Sequence, residues 1–163
     1  KKYNVNNKVK IFNIAVHSCE EEKNFYIPYY KNRICLHQSS SFHKNEIYSS
    51  LGEFLNIKKK DITFKKHIVK CKKLNDFKFE KIGLIKIDAE GNEIEILKGM
   101  NEYLNKDLIL IIENSPRDFN QVNKILNNYK FKSYRYNPKM KKFDDKSIEN
   151  SLNIYYSKKT LIT

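Results

Sequence analysis

Acidic residues end two apolar segments of the sequence, and their type and spacing fit several kinds of chemistry. Asp88 directly follows one short apolar run, and Glu113 directly follows another. Glu90 and Glu93 come shortly after Asp88. A carboxylate can accept the proton of a substrate hydroxyl, bind an amino group or help to hold a metal ion. These four acids are therefore the first candidates for a functional site.

The elements that would position these acids are strands and helices in alternation. Each apolar run is short and nearly continuous, which is typical of a strand covered on both faces. Apolar residues at helical spacing follow each run, so the sequence predicts an α/β fold. In such a fold the ligand crevice lies at the carboxyl ends of parallel strands, which predicts that Asp88 and Glu113 share one rim. Glu90 and Glu93 could instead only stabilise the positive N-terminal end of the following helix.

The segment 84–99 resembles a known family motif. Its sequence, LIKIDAEGNEIEILKG, is similar to the I-K-I-D-x-E-G-x-E-x-x-x-L-K-G motif of the FkbM family of S-adenosylmethionine-dependent methyltransferases. The resemblance extends over about residues 9–158. Other segments that resemble the family are 13–16, 73–76, 108–113 and 153–156.

This resemblance implies a fold and a reaction. The implied fold is a single α/β domain over residues 1–163 with a Rossmann-like class I methyltransferase sheet, mostly parallel, with an antiparallel hairpin at its edge. The implied cofactor is S-adenosylmethionine. The implied reaction is O-methylation of a hydroxyl on a sugar or another small-molecule acceptor.

The resemblance also implies roles for individual residues. Asp88 would be catalytic and would lie beside both the cofactor's methyl group and the acceptor hydroxyl. Glu90 and Glu93 would be catalytic residues that line the acceptor pocket. Glu113 is expected to contact the substrate because of its position at the same rim, without support from the resemblance. Ala15, at the end of a strand over residues 9–16, would contact the adenine of the cofactor.

Two departures from the family pattern affect these expectations. The family begins with a strand carrying D-x-G-A-x-x-G, which lets the backbone approach the methionine part of the cofactor, and a second strand ending in E-P; neither is present here. The four glycines are too scattered to form that turn. The sequence is therefore interpreted as the C-terminal portion of the domain, an incomplete sheet without its first two strands. In addition, Asn75 replaces the family's T-L-D aspartate.

The charge balance leaves a second function open. The chain has 32 Lys and Arg residues against 19 Asp and Glu residues, a formal net charge of +13. Such a surface fits a non-catalytic basic binding module that keeps the fold and binds an anionic partner. An anionic acceptor, such as a phosphorylated sugar, would use the same lysines. The chain has no recognisable nucleic-acid-binding module, so the sequence argues against nucleic acid as the partner.

The remaining patterns exclude several classes of protein. The three cysteines form no C-x-x-C pair and the four histidines show no metal-ligand spacing, so neither a disulfide framework nor a metal site is predicted. No apolar stretch approaches the roughly 20 residues of a membrane span. The N-terminal residues are polar, unlike a signal peptide. These patterns predict a soluble, cytoplasmic protein.

Overall fold

Two β-sheets form the framework of the computed structural model, which describes residues 8–162 except the side chain of Phe54. The four-stranded sheet contains β1 (Ala15–Val16), β2 (Glu21–Tyr30), β3 (Ile34–Cys35) and β4 (Ile62–Lys72). The five-stranded sheet contains β5 (Leu84–Ile87), β6 (Ile109–Glu113), β7 (Lys132–Asn137), β8 (Lys142–Asp144) and β9 (Asn153–Ser157).

Four α-helices accompany the sheets. They are α1 (Lys44–Leu55), α2 (Glu93–Lys98), α3 (Asn101–Leu104) and α4 (Phe119–Asn128). Short 3-10 turns lie at 37–39, 59–61, 74–77 and 148–150. Within residues 8–162, no helix combines the length and the apolar character that crossing a lipid bilayer requires.

The five-stranded sheet is mixed, so the prediction of a mostly parallel sheet is wrong. Its order is β5-β6-β9-β7-β8. β5 and β6 are parallel, whereas β9 is antiparallel to both β6 and β7, and β8 is antiparallel to β7. The strand–helix–strand alternation does make β5, β6 and β7 run in one direction. The chain then returns from β7 without a crossover helix, and a return of that kind gives antiparallel neighbours.

The predicted antiparallel pair at the end of the chain is present, but it is not the edge of the sheet. β7 and β9 pair with Tyr134 opposite Tyr155. β8 forms the edge instead, because the turn after Asn137 folds residues 142–144 back along β7. The polar segment between β7 and β9 therefore supplies an additional strand.

The four-stranded sheet has the order β1-β4-β2-β3, and only β1 and β4 are parallel in it. The strand predicted over residues 9–16 is limited to Ala15–Val16. Ile11 is 91% exposed, so the apolar pattern of that segment does not reflect burial. β1 pairs with β4. It belongs to the four-stranded sheet, whereas β5 belongs to the five-stranded sheet.

Each sheet has an apolar core of its own. Helices α2, α3 and α4 pack on the five-stranded sheet through fully buried side chains such as Leu97, Leu104 and Leu126. Ile47 and Leu51 of α1 pack against Ile62 of the four-stranded sheet. Burial of these apolar side chains supplies the main stabilisation of each half.

Polar and backbone contacts join the two halves around the loop between β5 and α2. The side-chain amide of Asn92 donates a hydrogen bond to the carbonyl oxygen of Val16 at 3.0 Å. Gly99, at the end of α2, lies so close to the four-stranded sheet that a Cβ there would be 2.1 Å from the carbonyl oxygen of His17. The end of β1 is therefore held against both ends of α2.

Candidate functional site

The carboxyl groups of Asp88 and Glu113 lie side by side at the ends of β5 and β6. The parallel register pairs Ile87 with Ile112, so the acids that follow come out at the same rim. A hydrogen bond joins the two carboxyl groups. Glu90 adds a third carboxylate, and one oxygen of each of these three residues lies within 4.8 Å of the others.

The Asp88–Glu113 pair holds a proton close to neutral pH. Burial, followed by the hydrogen bond to Asp88 and the nearby negative charges, raises the pKa of Glu113 to about 7. Contact with the amino group of Lys86, followed by the hydrogen bond from Glu113, lowers the pKa of Asp88. The pair therefore carries one negative charge in weakly acidic solution and can accept a proton at neutral pH.

Glu90 and Gly91 form a left-handed turn between β5 and α2. Their φ angles are +48° and +91°. The hydroxyl of Ser41 donates to the carbonyl oxygen of Glu90 at 2.9 Å. A Cβ at position 91 would displace the carboxylate of Glu46, which is flexible, whereas the φ of +91° itself favours glycine at this position. Burial, together with the charges of Asp88 and Glu93, raises the pKa of Glu90.

The two carboxylate oxygens of Glu93 have different environments. Oε1 accepts a hydrogen bond from the backbone N–H of Ala89 at 2.9 Å and so closes the loop. Oε2 is buried and has no hydrogen-bond partner among the described residues, and Glu93 as a whole is 3% exposed. Burial raises the pKa of this carboxyl. Oε1 therefore has a structural role, and Oε2 is buried without a hydrogen-bond partner among the described residues.

An open cavity of about 430 Å³, the carboxylate cavity, lies against these residues. The loop after β5, the end of β6 and the segment before α4 form one side, and α1 with the preceding serines forms the other. The acids that line it are Glu46, Glu53, Glu90, Glu93 and Glu113.

The acidic lining of this cavity favours ligands with hydroxyl and amino groups over anionic ligands. Its one arginine, Arg117, is already paired, because a terminal nitrogen lies 3.1 Å from both Glu46 and Asp118. The excess of carboxylates provides acceptors for hydroxyl and amino groups and repels a phosphate or carboxylate. This acidic cavity lies in a chain whose net charge is +13.

Ala15 lines a different cavity, of about 410 Å³, together with Ile14, Phe25 and Val69. Its walls are largely apolar, and Asn13 and Lys70 also line it. The structure thus groups Glu90, Glu93 and Glu113 around one cavity with Asp88 beside it, and places Ala15 at another.

The glycines of the described chain do not fit the methionine part of S-adenosylmethionine. The space beside Gly91 is occupied by Glu46, and the space beside Gly99 is occupied by the backbone of His17. Gly52 lies within α1, and Gly83 precedes β5. The described residues therefore form a polar cavity and an apolar cavity, without a glycine turn that approaches a ligand.

Sequence reasoning missed residues that approach the site from other parts of the chain. Ser41 and Glu46 contact the loop at Glu90 and Gly91, and Arg117 bridges Glu46 to the start of α4. Ser41 belongs to a run of three serines, the one local signal for its position. The side chain of Glu46 is an ordinary surface acid in sequence terms, and only the packing of α1 brings it to the cavity.

Comparison with known proteins assigns the chain to a family. The family model described as the methyltransferase FkbM domain matches residues 1–136 of the 163-residue chain. No curated protein and no solved structure matches it. The matched region includes the loop after β5 and the rim carboxyls Asp88 and Glu113. The chain therefore belongs to the FkbM methyltransferase family.

Proposed function

We propose that the chain provides the acceptor-binding part of an S-adenosylmethionine-dependent methyltransferase that methylates a hydroxyl on a sugar or a similar small molecule. The observation that carries this proposal is the hydrogen-bonded Asp88–Glu113 pair, with the pKa of Glu113 at about 7, beside an open cavity of about 430 Å³. Membership of the methyltransferase family supports the type of group transferred.

In this proposal the chain's own residues bind, orient and deprotonate the acceptor. Acceptor hydroxyls donate hydrogen bonds to the carboxylates that line the cavity, Glu90 and Glu93. The Asp88–Glu113 pair, ionised above about pH 7, takes the proton of the reacting hydroxyl. S-adenosylmethionine, when bound, supplies an electrophilic methyl group. Orientation is the larger contribution, because methyl transfer depends on alignment of acceptor and donor.

The proposed position of the cofactor rests on a partial fit. The apolar cavity at Ala15 suits an adenine ring, and Asp88 is proposed to lie beside the methyl group. The methionine part would be held by groups other than the four glycines of this chain. The same proposal includes a single Rossmann-like domain over residues 1–163 that lacks its first two strands. It also includes a cytoplasmic location.

The acceptor itself is proposed to be uncharged or amine-bearing. The sequence-based expectation of an anionic acceptor came from the net charge of +13, but the lining of the carboxylate cavity is acidic. The negative phosphate of a phosphorylated sugar would lie beside these glutamates, and the repulsion between like charges opposes its binding. Hydroxyl and amino donors match the same oxygens.

The test is methyl transfer by the purified protein to a panel of neutral, amino and phosphorylated sugars, measured by mass spectrometry. Asp88→Ala should lower the rate by about 10²–10⁴-fold, the usual contribution of a general base, while circular dichroism shows an unchanged fold. Glu102→Gln, an exposed acid on α3, is the matched control and should retain full activity. Unchanged turnover by Asp88→Ala would contradict the assigned role.

The second candidate function is a non-catalytic basic module that binds an anionic partner. Exposed lysines on β4, including Lys65, Lys66 and Lys70, favour it. Binding of this kind weakens steeply with salt, since it releases counterions. Salt-sensitive binding to a polyanion, combined with no affinity for S-adenosylmethionine, would favour this function over the first.

A further inference from the structure

Three side chains with different ligand atoms converge where β1 leads into β2, and none of them lines the carboxylate cavity. Nδ1 of His17 lies 3.4 Å from Sγ of Cys19, and that sulfur lies 2.7 Å from Oε1 of Glu21. One ligand atom of each residue lies within 4.8 Å of the other two. We propose that His17, Cys19 and Glu21 bind a single transition-metal ion, with Zn²⁺ the ion that fits best.

The distances are close to those of a tetrahedral zinc site. Zinc bonds of about 2.3 Å to sulfur and 2.0–2.1 Å to nitrogen separate the two ligand atoms by about 3.5 Å. The distance of 3.4 Å between His17 and Cys19 already has this value. The distance of 2.7 Å between Cys19 and Glu21 is that of a thiol hydrogen bond. It has to lengthen by about 1 Å when the thiol gives up its proton to bind the ion.

A carboxylate from the other half of the molecule lies next to this group. Oε2 of Glu95, on α2, is 3.9 Å from Nδ1 of His17 and accepts a hydrogen bond from the hydroxyl of Ser18. Glu95 is thus placed to become a fourth ligand or to hold the water that completes the site. Because α2 packs on the five-stranded sheet and His17 follows β1, a bound ion would tie the two halves together.

The ligand types decide which ion the site selects. Thiolate and imidazole together favour Zn²⁺ over Mg²⁺ or Ca²⁺, which prefer oxygen. This separates the group from the all-oxygen set at Asp88 and Glu113. Two neighbours have to move away from the ligand atoms. Nζ of Lys23 lies 2.6 Å from Oε1 of Glu21, and the hydroxyl oxygen of Ser18 lies 3.1 Å from Nδ1 of His17.

The sequence did not reveal this group because its spacing is unusual for a metal site. His17, Cys19 and Glu21 occupy alternate positions. Zinc motifs more often have two to five residues between successive cysteine or histidine ligands, whereas one residue separates His17 from Cys19. The bend over residues 18–20 brings the three side chains together.

The test is a titration of the untagged, reduced 163-residue chain with Co²⁺, which reports its ligands by colour. One equivalent should bind and produce a sulfur-to-cobalt charge-transfer band, and Zn²⁺ should displace it. Cys19→Ser should remove that band, whereas the matched control Cys35→Ser, an exposed thiol on β3, should retain it. Zinc should raise the melting temperature of the wild-type chain but not that of Cys19→Ser.

A second variant keeps all the proposed ligands, so its result does not depend on whether Cys19→Ser folds. Lys23→Gln removes the competing ammonium group and should tighten Co²⁺ binding by about threefold to tenfold, a change typical of a lost surface charge pair. The proposal is overturned by absence of the charge-transfer band in the wild-type chain. It is equally overturned if Cys19→Ser retains the band, or if Lys23→Gln leaves the affinity unchanged or weaker.

Discussion

At the scale of single residues, Glu113 links the charge of the rim to the stability of the chain. Its pKa rises from the ordinary 4.5 to about 7 on folding. Between these two values the folded chain keeps a proton that the unfolded chain has lost. The resulting stabilisation is fully present below about pH 4.5 and is lost as the pH rises through about 7.

Glu113→Gln should remove this pH dependence, because an amide cannot titrate. The difference in unfolding free energy, variant minus wild type, should grow in favour of the variant between pH 5 and pH 7 and then level off, given the pKa of about 7. Urea denaturation across this range measures it. A constant difference for Glu113→Gln across this range would mean that folding does not raise the pKa of the Glu113 carboxyl.

At the scale of elements, the loop after β5 is shaped by contacts that helical periodicity does not report. The sequence predicts one helix of about three turns after this loop. The structure divides it into α2 and α3 at Gly99, where the close approach of the His17 carbonyl leaves no room for a side chain. The loop itself depends on the left-handed turn at Glu90 and Gly91.

Gly91→Ala should destabilise the protein by about 1–3 kcal/mol, because alanine is strained at the positive φ of +91° that this turn imposes. For a domain of this size the melting temperature should fall by several degrees. Gly52→Ala is the matched control: it lies within α1 with nothing in contact range, and should stabilise by roughly 0.5–1 kcal/mol. Differential scanning calorimetry of the two variants should therefore show shifts of opposite sign, and equal shifts would contradict the backbone strain expected at position 91.

At the scale of the whole molecule, a few polar contacts hold the two halves together. Asn92 is 3% exposed, and its amide satisfies the carbonyl oxygen of Val16 at the end of β1. This contact ties the end of β1, the strand that begins at Ala15, to the loop that lines the carboxylate cavity. In the proposed function, the spacing of cofactor and acceptor depends on it.

Asn92→Ala should cost about 1–3 kcal/mol, because it leaves the Val16 carbonyl without its partner. Hydrogen exchange, read by mass spectrometry, should become faster over β1 and the following residues and stay unchanged in β6. Asn105→Ala is the control, since Asn105 is exposed and bonds only to its own helix at Asn101. Equal protection of β1 in both variants would show that the halves are joined by other contacts.

The sequence by itself determined the features that depend on neighbouring residues. Short apolar runs specified β5 and β6 as parallel strands, and the acids that end them had to emerge at one rim because the register is parallel. The motif around Asp88 also identified the family that the comparison confirmed. These features follow from periodicity and from local residue types.

Only the tertiary structure decided the features that join distant parts of the chain. Three features depend on how the sheets and helices pack. They are the insertion of β9 between β6 and β7, the approach of Glu46 to Gly91 and the grouping of His17 with Glu95. Their residues carry no local signal, because a surface acid or a lone histidine has the same sequence context in many folds. The free energy of packing is shared among many small contacts, so the partners of such residues follow from the whole fold.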